Sequence, residues 1–248
     1  MKFSEARQRF IVHLDLINRS KETIRGYKVD LQLFERYLVK CYGEIPNIEA
    51  IKVDDIEDFL ISMKGEGLAP ASRNRRLYSL RSFYKYCAKK GICTSNIAAM
   101  VDIARLPFKE REYMTEEEVL DIAKTINHKI VRTTILLLFY SGLRISEALN
   151  LKLEDVDLQE GIIRVRSGKG QKDRSVPICP KLQEIITEYL KNIRPVCKSA
   201  YFFATTKTGR LSPAYVNLKI HKAVESLGWN RTITAHSFRH SFASALIN

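Results

Sequence analysis

The run from Thr133 to Leu149 constrains this chain more than any other stretch. It reads Thr-Thr-Ile-Leu-Leu-Leu-Phe-Tyr-Ser-Gly-Leu-Arg-Ile-Ser-Glu-Ala-Leu. The nearly unbroken apolar part, up to Tyr140, predicts a helix packed deep in a core. Gly142 supplies the permissive backbone that ends such a helix. Arg144 follows at once, and Ser146 with Glu147 opens another short helical run. An arginine between packed helices is costly to bury unless an anion or a carboxylate meets it. Two partners are therefore open: Glu147, as a structural ion pair, or a ligand anion. The far end of the chain favours the anion, because His236 and Arg239 stand three apart there. Two arginines and a histidine from separate helices make a clamp for a phosphate. Each guanidinium can donate two parallel hydrogen bonds to phosphate oxygens, which a lysine cannot.

The charge balance points the same way. Lys and Arg number 41 against 28 Asp and Glu, a formal net charge of +13, and a chain this basic usually meets polyanions. The apolar share of 45% is ample for packed cores and argues against global disorder. Five scattered cysteines (Cys41, Cys87, Cys93, Cys179, Cys197) form no C-x-x-C pair, so neither a zinc ribbon nor a disulfide framework is expected. The charged, periodic N-terminus is unlike a signal peptide, and no apolar run is long enough to span a bilayer. A cytoplasmic location with reduced thiols is the expectation.

In order along the chain, Phe3, Ala6, Phe10, Leu14 and Ile17 form a helical stripe. Ser20 can cap a second helix, whose stripe runs Ile24, Tyr27, Leu31, Phe34 and Leu38. A third helix fits 53–63, and Pro70 opens a fourth with Leu77, Leu80, Phe83, Tyr84 and Cys87 turned inward. Arg73, Arg75, Arg76 and Arg81 are left for its outside. A solvated helix face would account for them, but no Asp or Glu accompanies them on this helix, and that favours contact with a nucleic-acid backbone. Residues 1–90 thus read as an all-helical domain. Residues 91–111 read as a linker with a short helix at 97–103, and 112–248 as a second domain. Thr115-Glu-Glu-Glu118 is a capping box at its start.

The second domain mixes helix and strand. Residues 161–166 alternate as a strand, and 174–178 read as its partner. The turn between them carries Lys169, framed by Gly168 and Gly170, and Lys172. Glycines let such a tip approach a ligand closely. Lys169 is the working group on this reading, whereas an ordinary solubilising lysine suits Lys172 better. Pro180 starts a helix to about 192, residues 201–203 form a short strand or turn, and Ser212-Pro213 caps a helix to 227. On the last helix Phe238, Phe242 and Leu246 share one stripe, with His236, Arg239, His240 and Ala243 on another face. The fold class expected is mainly α with a small β-sheet.

At this point a resemblance becomes specific. Ser141-Gly-Leu-Arg-Ile-Ser-Glu147 with Leu151 and Asp155 resembles the first motif box of the tyrosine site-specific recombinases, the integrase and Xer group. The segment 167–177, Ser-Gly-Lys-Gly-Gln-Lys-Asp-Arg-Ser-Val-Pro, resembles the β-hairpin that carries their catalytic lysine. His236-Ser-Phe-Arg-His-Ser-Phe-Ala243 resembles their H-x-x-R box. Each is weak alone, and the three in this order and spacing are strong. The N-terminal part is similar to the family's helical core-binding domain, in the simpler Xer-like layout.

The resemblance implies an enzyme: DNA strand exchange through a 3′-phosphotyrosyl intermediate, with no metal or other cofactor. Arg144 and Arg239 would hold the scissile phosphate, and Lys169 would protonate the leaving 5′-oxygen. His236 would assist as proton acceptor or hydrogen-bond donor, and Glu147 would orient its neighbours. Arg73, Arg75, Arg76, Arg81 and Lys172 would contact double-stranded DNA, on which such proteins assemble as homotetramers. The family also has a second His or Trp roughly two dozen residues after the H-x-x-R box and its tyrosine some nine beyond. The sequence stops at Asn248. A C-terminally truncated form that binds DNA without cleaving it is therefore expected. A non-catalytic DNA-binding regulator or architectural protein built on this fold is the alternative.

Overall fold

Local capping chemistry fixes where the helices begin in the computed structural model, which describes residues 1–107, 113–166 and 173–245. Ser20 Oγ accepts the Thr23 N–H at 3.1 Å, and Ser212 Oγ accepts the Tyr215 N–H at 3.2 Å. Thr115 and Glu118 cap each other reciprocally, at 3.2 and 2.9 Å. Each bond satisfies a backbone donor that a helix start leaves orphaned.

The chain divides into two compact units, Met1–Lys109 and Glu110–Asn248. The first contains four helices among its described residues: α1 (Phe3–Leu16), α2 (Lys21–Tyr42), α3 (Val53–Gly65) and α4 (Pro70–Lys89). Its core is aromatic. Phe3 meets Phe83 and Phe34 edge-on at 5.0 and 5.6 Å between centroids, and Phe10, Phe59 and Tyr84 complete the cluster. The segment expected to be a short helix at 97–103 is a single 3-10 turn, Ile97–Ala99, whose Ala98 is buried.

The second unit is built around α6 (Lys129–Ser141). Val131, Ile135, Leu137 and Leu138 of this helix are fully buried, as the apolar run predicts. Around it lie α5 (Glu116–Thr125), α7 (Ile145–Asn150), α8 (Pro180–Glu188), α9 (Pro213–Ser226) and α10 (Ala235–Ala245). One antiparallel sheet, in the order β1-β2-β3, contains Val156–Asp157, Ile162–Val165 and Arg174–Pro177. The β2–β3 register pairs Val165 with Arg174 and Ile162 with Pro177. Ile163 and Val165 point into the core while Arg164 between them is exposed, the alternation of a one-sided sheet. The helix expected to run from Pro180 to about 192 leaves α geometry after Glu188 and continues as a π turn, Tyr189–Ile193. There the buried Tyr189 hydroxyl donates to the Phe202 carbonyl at 2.9 Å. Mainly helical with one small sheet is thus the observed fold class. Among the described residues no helix is long and apolar enough to cross a membrane.

Candidate functional site

Gly142 is where the second unit turns toward its site. It caps α6 with φ +62°, and its N–H donates to the Leu138 carbonyl at 3.0 Å. It also lies against α10: a Cβ here would stand 2.5 Å from Phe242 Cε1 and closer still to Cδ1. Glycine is thus required twice, by backbone sign and by the approach of an aromatic ring. The Gly142 carbonyl in turn accepts Arg239 Nη1 at 2.6 Å.

Arg144 is the N-cap of α7, which turns its side chain back over the helix start. Glu147, three residues on, accepts the Arg144 backbone N–H at 2.8 Å and Arg144 Nη1 at 2.9 Å. Arg174, the first residue of β3, meets the same carboxylate with both terminal nitrogens, at 3.0 and 2.8 Å. Arg239 Nη1 stands 3.8 Å from Glu147 Oε2. Three guanidiniums from α7, β3 and α10 therefore converge on one carboxylate. Arg144 and Arg239, 95 positions apart in sequence, are brought together.

The sequence led us to expect a buried Arg144, and the structure corrects this. Its side chain is 46% exposed, while Glu147 is the enclosed member at 13%. The short α7 places Arg144 at its rim. The structural ion pair and an accessible guanidinium therefore coexist. Burial pushes the Glu147 carboxyl up, but the bonds from Arg174 and Arg144 outweigh it and hold the group at about 2. Burial and then the neighbouring Arg144 charge push Arg239 below the usual arginine range, with Glu147 opposing. Positive charge is crowded here.

A consequence for acid stability follows. The folded pKa of Glu147 is depressed, so its stabilising contribution is full above the unfolded value, about 4.3. It is lost as pH falls toward 2. Solvent reaches the arginines and screens the interaction, so roughly 1–2 kcal/mol is expected. In urea titrations from pH 5 to 2, Glu147→Gln should lose less stability than the parent by about that amount. Equal losses in the two proteins would show that the carboxylate is not held by its arginines.

His236 is exposed on the first turn of α10, one turn before His240, with the rings edge-on at 4.4 Å. The helix is anchored by Phe238, which is fully buried, and by Ser241, whose Oγ accepts the Met114 N–H at 2.8 Å. The Ala235 N–H donates to Asn217 Oδ1 at 2.9 Å. These bonds turn Arg239 toward Gly142. Lys169 and Lys172 lie outside the described residues.

In the first unit the four arginines of α4 do not all face outward, contrary to the expectation. Arg75 is exposed, and Arg73, Arg76 and Arg81 are half-buried. Arg81 donates to the carbonyls of Ala98 and Val101 at 3.1 and 2.6 Å, closing the 3-10 turn beside it. Arg75 is gripped by Asp30, itself 1% exposed, through two bonds of 2.7 and 2.6 Å. Ser79 adds a third bond to that carboxylate at 2.7 Å. Arg75 is thus a surface cation held at a fixed angle. Asp30 lies in α2, opposite to α4 in the packing, so composition within α4 could not have revealed it. Arg174 was missed for a related reason: in sequence it reads only as the start of a strand.

Known proteins carry the same two-part pattern. Residues 112–248 match the Phage integrase family, and 8–91 match its N-terminal SAM-like domain. Tyrosine recombinase XerA of Pyrococcus horikoshii is 32% identical over 247 residues, covering 98% of this chain and 80% of that protein. Tyrosine recombinase XerC of Myxococcus xanthus is 32% identical over 259 residues, covering 97% and 83%. In fold, the chain is similar to lambda integrase (residues 75–356) in a dimer bound to a COC′ core site. The TM-score is 0.82 at 19% identity, with 98% of this chain and 89% of that one covered.

Proposed function

The chain belongs to the phage integrase family of tyrosine recombinases, and from that premise we propose that its arginine cluster is a clamp for one DNA phosphodiester during site-specific strand exchange. The observation that carries this reading is the charge count at Glu147. Three guanidiniums face one carboxylate, leaving two net positive charges. A phosphodiester brings one negative charge, and the pentacoordinate state formed by attack on phosphorus brings two. The cluster therefore compensates charge best when the bond is half made, which is where stabilisation accelerates a reaction.

The chain's residues take these roles. Arg144 and Arg239 donate to the non-bridging oxygens of the phosphate. Arg144 Nη2 and Nε have no hydrogen-bond partner among the described residues, so this half-exposed side chain keeps donor capacity. The phenol oxygen of the tyrosine that the family uses bonds to phosphorus, its proton passing to His236, as the bond to the 5′-oxygen breaks, and the 5′-oxygen takes a proton from Lys169. His236, exposed on α10, exchanges a proton or a hydrogen bond with the reacting oxygens. DNA phosphodiester exchange is nearly isoenergetic, so positioning and charge compensation suffice.

Residues 1–90 serve as the core-binding domain and 112–248 as the catalytic domain, while Ala98 and Val101, expected in the linker 91–111, pack into the core of the first unit. Arg75 is the best placed backbone contact of the first domain, with Arg73, Arg76 and Arg81 adding positive charge there and Lys172 adding it in the second. Double-stranded DNA is the partner, bound by several copies of the chain, in the cytoplasm.

Binding to duplex DNA selected from a random pool should weaken steeply with salt, the slope reporting several phosphate contacts. Arg75→Ala should lower that slope by about one unit without altering the preferred sequence. Equal affinity for RNA across the salt series, or a flat slope, would overturn the DNA-binding reading.

A further inference from the structure

We propose that Arg174 is a positioning residue for the clamp: by holding Glu147 with both terminal nitrogens, it leaves Arg144 and Arg239 available to a phosphate. This rests on the clamp reading above.

The geometry separates Arg174 from the other two arginines. A carboxylate has about four lone-pair positions. On Glu147 these are filled by the Arg144 N–H, Arg144 Nη1 and the two Arg174 nitrogens, all between 2.8 and 3.0 Å. Arg239, at 3.8 Å, is beyond hydrogen-bond distance of that carboxylate, and its Nη1 donates to the Gly142 carbonyl instead. Arg174 gives the carboxylate both ends of its fork, whereas Arg144 gives one terminal nitrogen. The two arginines assigned to the phosphate are the two that keep donors in hand.

Removing the Arg174 fork has a definite consequence. Two acceptor positions on Glu147 would fall empty, with Arg239 less than 4 Å away on α10 and Arg144 already bonded on α7. A desolvated carboxylate without partners is costly, so Glu147 would draw these guanidiniums in. Carboxylate and phosphate would then compete for the same donors. Arg174 prevents this competition while adding a third positive charge beside the site. Its place at the start of β3 makes the arrangement part of the sheet, since Arg174 is in register with the buried Val165 of β2.

The competition is testable by second-site neutralisation, with inorganic phosphate as the probe and the arginine Nε–Hε NMR signals of the 248-residue chain as readout. Arg174→Gln should weaken phosphate binding about tenfold, and Arg174→Lys, which keeps charge but not the fork, by less. The double variant Glu147→Gln/Arg174→Gln should bind within about twofold of the parent, because no carboxylate remains to compete. A purely structural role cannot give that recovery. Parental binding by Arg174→Gln, or a double variant as weak as the single one, would overturn the role of Arg174. Arg144→Ala, run alongside, separates the two readings: if it too binds phosphate normally, the clamp fails and the positioning role falls with it. A urea midpoint for each variant identifies any loss due to unfolding, and a variant that does not fold is replaced by Arg174→Met.

Discussion

Arg144→Ala is expected to slow DNA strand cleavage by roughly a thousandfold or more while weakening DNA affinity by less than about tenfold. The asymmetry follows from where the residue sits. Arg144 is one charge among the many that a duplex meets on a chain of net charge +13, so its loss costs the ground-state complex little. At the phosphate it is one of three guanidiniums facing a single carboxylate. Its loss halves the net positive charge at the point where negative charge develops. The alanine variant also removes one side-chain donor from Glu147, and this draws Arg239 further from the phosphate. The measurement is single-turnover cleavage of a suicide substrate, variant against parent. Equal losses in affinity and rate would make Arg144 a docking contact with no part in the chemical step.

Gly142→Ala is expected to destabilise the second unit by about 2–5 kcal/mol. A left-handed φ costs an alanine about 1–2 kcal/mol. Overpacking against an aromatic ring adds about 1–3 kcal/mol. The two contributions can be separated. Phe242→Leu in the Gly142→Ala background should relieve the contact with the ring and leave the backbone strain at φ +62°. About half the lost stability should return, read as a urea midpoint. The site should suffer as well, because the carbonyl that receives Arg239 belongs to the strained residue. No loss of stability in Gly142→Ala would mean that the α6–α10 approach is looser than described.

The sequence was most legible where one residue type has one physical use. The apolar run predicted α6, Ser20, Thr115 and Ser212 predicted helix starts, and Gly142 predicted a helix end. The pairing of Arg144 with Arg239 was also legible, because two arginines beside packed helices need an anion. The exposure of Arg144 was not, since a hydrophobic neighbourhood in sequence says nothing about which rim a six-residue helix presents. Partners supplied by distant elements were equally hidden. Asp30 fixes Arg75 across 45 positions, and Arg174 reaches Glu147 across 27. Nothing local distinguishes Arg81, which closes a turn, from Arg75, which faces solvent. The strand β1 went unseen because two residues carry no period.

The most direct test neutralises one DNA phosphate at a time. Methylphosphonate linkages are placed singly along a duplex selected for binding, and affinity is measured for the parent, Arg144→Ala and Arg239→Ala. The clamp predicts one position per half-site where neutralisation weakens the parent, and where both variants have lost that sensitivity together. Variants that lose sensitivity at two different phosphates, or at none, would show that these arginines do not share a phosphodiester.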